Sequence, residues 1–308
     1  MGIKVFAPAS IGNVGVGFDI LGMALERPGD EVIARKSDTP GLRIVKITGH
    51  GGKLPYEVEK NTAGVAALRF LEHIGEAGRG IELDIHKKMP MGSGLGSSAA
   101  SAVAAVLAVS ELLRTGLGKR ELLPFACAGE QVASGGFHAD NVAPCMIGGI
   151  VLIRDNATLD VHRLHVPRGL YATVVYPQLE VLTKTARAIL KPEVPLDAYV
   201  RQSANVGGFI VGLFNGDIDL IGRSLRDDII EPQRAGLITG FYEVKEAALA
   251  EGALGCSISG SGPSVFALCA NSLIAENVGQ AMQKAFARHG VESQIYLSAV
   301  NQEGAIVQ

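Results

Sequence analysis

The chain has 308 residues, of which 47% are hydrophobic and 19% charged, and a formal net charge of -3. That length allows two domains with a sizeable buried core, and the charge gives no reason to expect nucleic acid or an anionic membrane surface as a partner. No apolar stretch reaches membrane-spanning length without a glycine or a charge, and the N-terminus lacks the apolar core of a signal peptide, so we expect a cytoplasmic protein.

Apolar periodicity and turn residues predict strands and helices along the whole chain. In the first half the predicted strands are 3–7 (broken by Pro8), 30–35, 42–48, 81–86, 149–154 and 161–165, and the predicted helices are 61–74, 97–114 and 121–134. Further along, the predicted strands are 170–176, two within 257–269, and 293–298, and the predicted helices are 184–190, 196–215, 237–251 and 272–289. Because the elements mix without strict alternation, we expect an α+β fold, with domains at 1–167 and 168–308.

The four cysteines are Cys127, Cys145, Cys256 and Cys269, and no two have C-x-x-C spacing. Each lies among apolar residues. We therefore expect buried, reduced thiols rather than metal ligands or a disulfide framework.

The most informative segment is PMGSGLGSSAA, residues 90–100, which a run of small helix-forming residues follows. Its three glycines allow backbone N–H groups to converge on an anion, and the helix start adds the positive end of its dipole. Ser97 or Ser98 can place a hydroxyl on the metal ion that accompanies a nucleoside triphosphate. Since the chain has no G-x-x-x-x-G-K-[ST] sequence, this segment predicts a phosphate loop of another type. The alternative is a glycine-rich turn before a helix.

Two further glycine-rich segments carry polar residues. Asn13 and Asp19 lie in PASIGNVGVGFDILG, residues 8–22, where an unpaired polar side chain is costly to bury. They either cap local turns or face a cleft and bind a polar ligand. In SISGSGPSVFAL, residues 257–268, glycines permit a tight turn against another segment or a ligand.

The fourth segment is GEQVASGGFHADNVAP, residues 129–144. Glu130 is either a magnesium ligand or an exposed charge on a helix, since magnesium takes one or two carboxylates beside phosphate oxygens. His138 is either a base or a structural residue of the loop.

Together these four segments resemble the GHMP kinase superfamily, in order and over the whole chain. Within it, GNVGVGFDILG, HADNVAP (138–144) and LTKTAR (182–187) are most similar to the members that phosphorylate L-homoserine. The resemblance implies an N-terminal α+β domain and a C-terminal ferredoxin-like domain. It places ATP at the 90–100 loop and the substrate between the domains.

The resemblance also implies an activity. This is the ATP-dependent and Mg²⁺-dependent phosphorylation of the side-chain hydroxyl of L-homoserine to O-phospho-L-homoserine, a step toward threonine, by a homodimer. Asn13 and Asp19 would hold the amino and backbone groups of the substrate. Arg187 and Arg234 would clamp its carboxylate, a task that suits planar guanidinium groups.

The remaining implied roles concern catalysis and the nucleotide. Asn141, with Asp140 beside it, would orient the attacking hydroxyl, and Ser98 and Glu130 would hold magnesium. Gly260 to Gly262 would close over the phosphate loop. The residues implied to bind ATP are Pro90, Met91, Gly92, Ser93, Gly94, Leu95, Gly96, Ser97, Ser98, Ala99, Ala100, Asn61, Lys87, Gly260 and Gly262.

Two positions depart from the family pattern. Gly12 stands where the family more often has alanine, which we expect to loosen the backbone next to Asn13. Asn141, not a carboxylate, stands at the position assigned to the substrate hydroxyl, so general base catalysis is absent or falls to Asp140. Phosphoryl transfer tolerates this because its loose transition state needs positioning and charge neutralisation more than proton removal.

Three alternative functions would also account for some of these segments. A mevalonate or sugar kinase of the same superfamily is disfavoured by Arg187 and Arg234 with Asp19, which suit an amino acid. An inactive relative with a regulatory role would be expected to lose Ser98, Glu130 or the loop glycines, and all are present. A dinucleotide-binding oxidoreductase would need a βαβ fingerprint with a downstream acid, which the sequence lacks.

Overall fold

The computed structural model describes residues 2–136 and 138–308, which form two β-sheets with helices packed against them. The first sheet contains β1 (Gly2–Gly12), β2 (Leu21–Lys36), β3 (Leu42–Thr48), β4 (Ile81–His86), β5 (Ile150–Asp155), β6 (Asp160–Leu164) and the last strand, β11 (Ile306–Val307). The second sheet contains β7 (Tyr171–Pro177), β8 (Gly255–Ile258), β9 (Val265–Cys269) and β10 (Ser293–Ala299).

Helices occur in both halves of the chain. They are α1 (Thr62–His73), α2 (Ser97–Leu113), α3 (Lys119–Ser134), α4 (Val142–Ile147), α5 (Thr183–Ala188), α6 (Leu196–Asn215), α7 (Ile218–Ser224), α8 (Glu231–Arg234), α9 (Phe241–Ala250) and α10 (Ser272–Arg288). Short 3₁₀ helices lie at Val58–Lys60 and Ala235–Leu237. No helix in these residues is long and apolar enough to cross a membrane.

The first sheet is organised around β2, whose two ends pair with different strands. Its first residues pair with β5 and its second half with β4, while β1 runs antiparallel along both parts. β3 and β4 are parallel, and β11 joins the free side of β1. The chain therefore returns to the first sheet after completing the second. The division into domains at 1–167 and 168–308 stays a prediction.

The predicted end of the first strand at Pro8 is wrong, because β1 continues to Gly12. The register between β1 and β2 shifts between Pro8 and Ser10. Such an irregularity accommodates proline, which has no N–H for the ladder. The extended strand reaches the glycine-rich loop, where the Ser10 N–H donates to Leu95 O at 3.0 Å.

The core of the first half lies between this sheet and α1, α2 and α3. α2 packs directly on β1 and β2, and its alanine and serine residues from Ala99 to Ser110 are buried. Small side chains allow this close approach, as the sequence predicts. The four cysteines are buried thiols, also as predicted.

The second sheet has the strand order β10-β7-β9-β8, and its strands are connected as β7, helices α5 to α9, β8, β9, α10, β10. This is the ferredoxin-like βαββαβ arrangement, in which α9 and α10 cover a second apolar core. The α+β fold and the ferredoxin-like second half are therefore confirmed. α4, α7 and α8 were not predicted.

Candidate active site

A cavity of about 420 Å³ lies between the two halves of the molecule, and it gathers most of the predicted site residues. Those that line it are Asn13, Asp19, Asn61, Lys87, Met91, Gly92, Ser93, Gly94, Gly96, Ser97, Ser98, Glu130, Asp140, Asn141, Arg187, Arg234 and Gly260. Five predicted residues do not line it: Pro90, Leu95, Ala99, Ala100 and Gly262. Of these, Leu95, Ala99 and Ala100 point their side chains into the first core.

The 90–100 loop has the backbone conformation that its glycines permit. Gly92, Gly94 and Gly96 have φ values of 62°, 78° and 68°, in the left-handed region. Gly96 is the N-cap residue of α2, and in the described residues no side chain caps this helix start. The first N–H groups of α2 are thus oriented to bind an anion at the cavity.

The second glycine-rich loop packs against the first. The Ser259 hydroxyl donates to Gly94 O at 2.6 Å, and the Ser264 N–H donates to Ser93 O at 3.1 Å. A Cβ added at Gly94 would lie 2.5 Å from Ser259 O. Only glycine therefore fits at position 94 in this packing.

A buried carboxylate holds both ends of the loop. Asp30, in β2, forms an ion pair with Lys87 and accepts a hydrogen bond from the Ser97 hydroxyl at 2.7 Å. Its other oxygen accepts from the N–H groups of Lys88 at 2.8 Å and Met89 at 3.2 Å. One side chain thus binds the residues that enter the loop and the residue that leaves it.

The ammonium group of Lys87 lies beside the 90–100 loop and is hydrogen-bonded within the protein. Besides Asp30, its ammonium donates to Ser97 O at 2.6 Å and to the Ser101 hydroxyl at 2.7 Å. These contacts use all three donors of an ammonium group. Lys87 therefore stabilises the loop, although it also borders the cavity.

The side chain of Asn61 is also hydrogen-bonded within the protein. Its side-chain oxygen accepts from the Ala63 N–H at 3.1 Å as the N-cap of α1, and its amide donates to Pro55 O at 2.9 Å. Asn61 therefore has a structural role at the start of α1, in addition to its place in the cavity wall.

Ser98 and Glu130 bring two oxygen donors to the start of α2. The Ser98 hydroxyl donates to Glu130 Oε1 at 2.9 Å, and Glu130 is half-buried in the cavity wall rather than exposed on α3. Burial raises the pKa of Glu130 to about 7, with the charge of Asp140 acting in the same direction and the Ser98 hydrogen bond opposing it. A hydroxyl and a carboxylate beside a phosphate loop are the hard donors that magnesium takes.

Asp140 and Asn141 lie just before α4 and face the cavity. The Ser10 hydroxyl donates to Asn141 Oδ1 at 2.9 Å, and the Asn141 amide approaches Asp140 Oδ2 at 3.4 Å. Burial raises the pKa of Asp140 to about 7, the Asp19 charge adds to this, and Arg187 opposes it. Asp140 can therefore change its protonation state near neutral pH.

Two glycines on neighbouring strands make room for this pair. Gly12 and Gly22 are partners in the β1–β2 register. A Cβ at Gly12 would lie 2.6 Å from the Asn141 amide nitrogen and would also meet the Asp140 carboxylate, while a Cβ at Gly22 would meet the Asp140 carbonyl. Gly12 thus leaves space for the Asp140 side chain, a role different from the looser backbone that the sequence suggested.

Asn13 joins the N-terminal segment to the second glycine-rich loop. It has a φ of 67°, and its side-chain oxygen accepts from the Asp19 N–H at 2.9 Å. Its amide donates to Gly260 O at 2.9 Å. Asn13 therefore caps a local turn and also borders the cavity, while its binding of a polar ligand stays a prediction.

Asp19 and Arg187 are bound to each other. Both guanidinium Nη atoms of Arg187 donate to the Asp19 carboxylate at 2.9 Å, and this hydrogen bonding raises the pKa of Arg187. His138 Nδ1 lies 3.5 Å from the same carboxylate, and burial lowers the pKa of His138 against the charge of Asp19. The cavity thus holds a carboxylate shared by two basic side chains.

Arg234 lies in the same cavity as Arg187 but has different hydrogen-bond partners. It is only 3% exposed, and it donates to Ala186 O at 3.0 Å and Gly260 O at 3.1 Å. Within the described part of the chain it forms no ion pair. Burial lowers the pKa of Arg234, and the charge of Arg187 acts in the same direction. A buried cation of this kind at a cavity wall is suited to an anionic ligand.

Sequence reasoning missed several residues of this site. Asp30 was assigned only to a strand, although a charged residue inside a buried strand is itself a signal. Ser10, Phe18 and Ser101 were not singled out, and Phe18 carries contacts to both arginines. Their partners are distant in the chain, so no local pattern identified them.

Family models and individual proteins of known identity are similar to this chain. The family described as GHMP kinases N terminal domain matches residues 61–149, and the family described as GHMP kinases C terminal matches residues 209–288. A homoserine kinase of Chlorobaculum tepidum is 48% identical over 97% of this chain and 96% of its own. A homoserine kinase of Xanthomonas campestris pv. campestris is 44% identical over 98% of this chain and 92% of its own.

A solved structure extends the similarity to three dimensions. The crystal structure of homoserine kinase from Cytophaga hutchinsonii is 54% identical, has a TM-score of 0.97, and covers 100% of this chain and 97% of its own. The two family matches, the nearly full-length relatives and this neighbour agree with one another. The chain belongs to the homoserine kinase family of the GHMP kinases.

Proposed function

We propose that this chain phosphorylates the side-chain hydroxyl of L-homoserine with ATP, giving O-phospho-L-homoserine and ADP, a step toward threonine. The observation that carries the proposal is Arg234, a buried guanidinium that lies in the same cavity as an anion-binding helix start and forms no ion pair in the described residues. An amino acid supplies the missing carboxylate. The names of the curated relatives support the same substrate.

The phosphates of ATP would bind at the glycine-rich loop. The left-handed glycines and the uncapped start of α2 support this, because they present N–H groups to the cavity. Leu54 and Ile85 border the cavity beside Asn61, and they offer an apolar surface to the base. Lys87 and Asp30 would keep the loop in its binding shape.

Mg²⁺ fits the donors that Ser98 and Glu130 provide, because a hydroxyl and a carboxylate oxygen lie 2.9 Å apart at the phosphate loop. When bound, the ion would neutralise charge on the triphosphate. In the described residues no three His, Cys, Asp or Glu side chains form a metal cluster. That is compatible with magnesium, which takes few protein ligands and keeps phosphate and water oxygens.

The substrate would bind beside the triphosphate. Arg234 would receive its carboxylate, with help from Arg187. Asp19 would accept hydrogen bonds from the ammonium while still bound to Arg187, because a carboxylate has about four lone-pair sites and Arg187 uses two. This arrangement supports an α-amino acid, which carries both charges.

Asn141 and Asp140 would act at the hydroxyl. Asn141 is held by Ser10 and so would orient the oxygen that attacks the γ-phosphate. Asp140, whose pKa lies at about 7, would take the proton from that oxygen. Most of the rate would come from positioning and charge neutralisation, as is usual for phosphoryl transfer.

The test is an ADP-release assay with homoserine, mevalonate and galactose side by side. Mevalonate has a carboxylate but no ammonium, and galactose has neither, so we expect turnover with homoserine to exceed both by orders of magnitude. Faster turnover of mevalonate would transfer the proposal to another kinase of the superfamily. Faster turnover of galactose would also remove Arg234 from the substrate site.

We further propose that the chain forms a homodimer. α6 exposes Leu196, Tyr199, Val200, Val211 and Phe214, the last of them 77% exposed, and apolar surface of this kind marks protein contacts. Sedimentation velocity of the wild type should give a dimer, and Phe214→Glu should give a monomer. A monomeric wild type would refute this proposal.

A further inference from the structure

We propose that Phe18 positions the two guanidinium groups that receive the substrate carboxylate, and that it thereby sets the preference for a carboxylate-bearing alcohol. The inference rests on the proposed function, because the carboxylate is that of homoserine. Phe18 is a positioning residue in this scheme, since it acts through Arg187 and Arg234.

Phe18 lies at the cavity wall in the turn between β1 and β2, where its side chain is half-buried. The guanidinium carbon of Arg187 lies 5.3 Å from its ring centroid, and that of Arg234 lies 5.1 Å from it. A cation within about 6 Å of an aromatic face is attracted by the negative charge density of that face. One ring therefore contacts both cations.

The two arginines need such a contact because they repel each other. The charge of Arg187 contributes to the lowered pKa of Arg234, after burial itself. Arg187 is compensated by Asp19, whereas the described contacts of Arg234 are two backbone carbonyls and the Phe18 ring. The ring face is the one element of these contacts that both guanidinium groups share.

The ring also limits how each guanidinium can turn. A guanidinium has five N–H donors. Arg187 uses two of them on Asp19, and Arg234 uses two on Ala186 O and Gly260 O. Packing on the ring holds both groups in place, so the remaining donors keep a constant direction toward a ligand.

On one side, Phe18 has little room to move. A second void borders it and Arg234, and this void measures about 10 Å³, roughly the space of a single water molecule. Asn13, next to the same turn, binds both the Asp19 N–H and Gly260 O and so holds the turn against the second loop. The space around the ring is thus small toward this void, whereas the main cavity also borders the ring.

The experiment compares Phe18→Leu with Phe18→Tyr in the full chain. Leucine keeps apolar volume but has no aromatic face, while tyrosine keeps the face. Phe286→Leu is the matched control, because Phe286 is fully buried in the second core on α10 and does not line the cavity. For each protein we would measure kcat, the KM for homoserine and the KM for ATP, together with turnover of aminopropanol, which is homoserine without its carboxylate.

We expect Phe18→Leu to raise the KM for homoserine about tenfold while the KM for ATP stays within twofold of wild type. Phe18→Tyr should stay near wild type, and Phe286→Leu should lose stability without changing either KM. The preference for homoserine over aminopropanol should fall in Phe18→Leu alone.

Two results would overturn the inference: a homoserine KM in Phe18→Leu that stays within twofold of wild type, or an equal rise in both KM values. Failure of the proposed function is distinguishable from either result, because wild type would then release no ADP with homoserine.

Discussion

The Asp19 carboxylate accepts one hydrogen bond from each terminal nitrogen of the Arg187 guanidinium, and both are 2.9 Å long. The resemblance assigns these two residues to opposite ends of the substrate, yet in this structure they bind each other. Their charges are mutually compensated, whereas Arg234 forms no ion pair within the described residues. We therefore expect Arg234 to dominate carboxylate binding.

Arg234→Leu tests this expectation. Breaking a buried, hydrogen-bonded charge contact costs about 2–5 kcal/mol, so the KM for homoserine should rise at least about thirtyfold. The KM for ATP should stay near normal, because the phosphate loop lies elsewhere in the cavity. Steady-state kinetics with each substrate varied in turn gives both values. Arg69→Leu, which removes an exposed arginine of α1, is the control, and a homoserine KM that stays unchanged would exclude Arg234 from the site.

The Asp19–Arg187 pair predicts coupling between two substitutions. Asp19→Asn and Arg187→Met should each lower kcat/KM for homoserine and each reduce the free energy of unfolding. The double variant should lose less stability than the sum of the single losses, by about 0.5–3 kcal/mol, because the pair is broken only once. Urea unfolding of the four proteins measures this coupling, and additive losses would show that the pair contributes nothing as a pair.

Glu130→Gln should impair magnesium-dependent turnover more than folding. Glutamine keeps an oxygen to accept from Ser98 but loses the charge that the metal needs. We expect the magnesium concentration for half-maximal rate to rise at least about tenfold, with a thermal midpoint close to wild type. Magnesium titrations of the rate, beside thermal unfolding of both proteins, test this. A normal magnesium requirement would remove Glu130 from the metal site.

Asp140 predicts a pH dependence of the rate. Its pKa lies at about 7, and only the ionised form can accept the hydroxyl proton. At saturating Mg²⁺, which would hold Glu130 in its ionised form, the kcat/KM for homoserine should therefore fall as the pH drops below about 7, and Asp140→Asn should be slower and lose this dependence. A wild-type profile that stays flat from pH 6 to 8 (roughly one unit either side of that pKa) would mean that no base operates there.

The same residue predicts a pH dependence of stability. Because the pKa of Asp140 is raised from 3.8 to about 7 in the folded protein, its favourable contribution is full below pH 3.8 and is lost as the pH rises through 7. Asp140→Asn should therefore be more stable than wild type above pH 7, and the difference should shrink toward pH 4 (roughly the unfolded pKa). Urea midpoints of both proteins across this range test the prediction. A wild type whose stability rises relative to that of the variant with increasing pH would contradict it.

Lys87→Met should act through the loop. It leaves the Asp30 carboxylate buried without its cation, which typically costs about 3–5 kcal/mol of stability. We expect the KM for ATP to rise and the homoserine KM to change much less. Adding Asp30→Asn to Lys87→Met should recover part of the stability, because the unpaired charge is then gone. If Lys87→Met left both the stability and the KM for ATP at wild-type values, Lys87 would not stabilise the phosphate loop.

Much of the fold could be predicted because long elements carry their own periodicity. The predicted ranges 42–48, 81–86 and 196–215 coincide with β3, β4 and α6. α4, α7 and α8 have only four to seven residues, so their helical period is hard to recognise, although a helix was predicted at the equally short α5. The end of β1 was misjudged because a local rule about proline ignores the register shift that accommodates it.

The residues of the site likewise fall into those that a local motif predicts and those that it does not. Glycine and polar motifs in single segments identified the loop, Ser98, Glu130 and the Asp140–Asn141 pair as candidates. Sequence motifs do not show which distant segments contact each other. Only the structure therefore shows that Asp19 binds Arg187, that Phe18 contacts the arginines, and that Asp30 binds the phosphate loop. Charge compensation depends on such pairings, and that is why sequence alone did not distinguish Arg187 from Arg234.

The hydrogen bonds of Asp30 to both ends of the phosphate loop have a thermodynamic consequence. A loop of glycines would ordinarily lose much conformational entropy when a ligand orders it. Here the loop acquires its shape during folding, with the entropic cost already met by a buried ion pair and backbone hydrogen bonds. Nucleotide affinity should therefore reflect contacts made with the triphosphate rather than the expense of arranging the backbone around it.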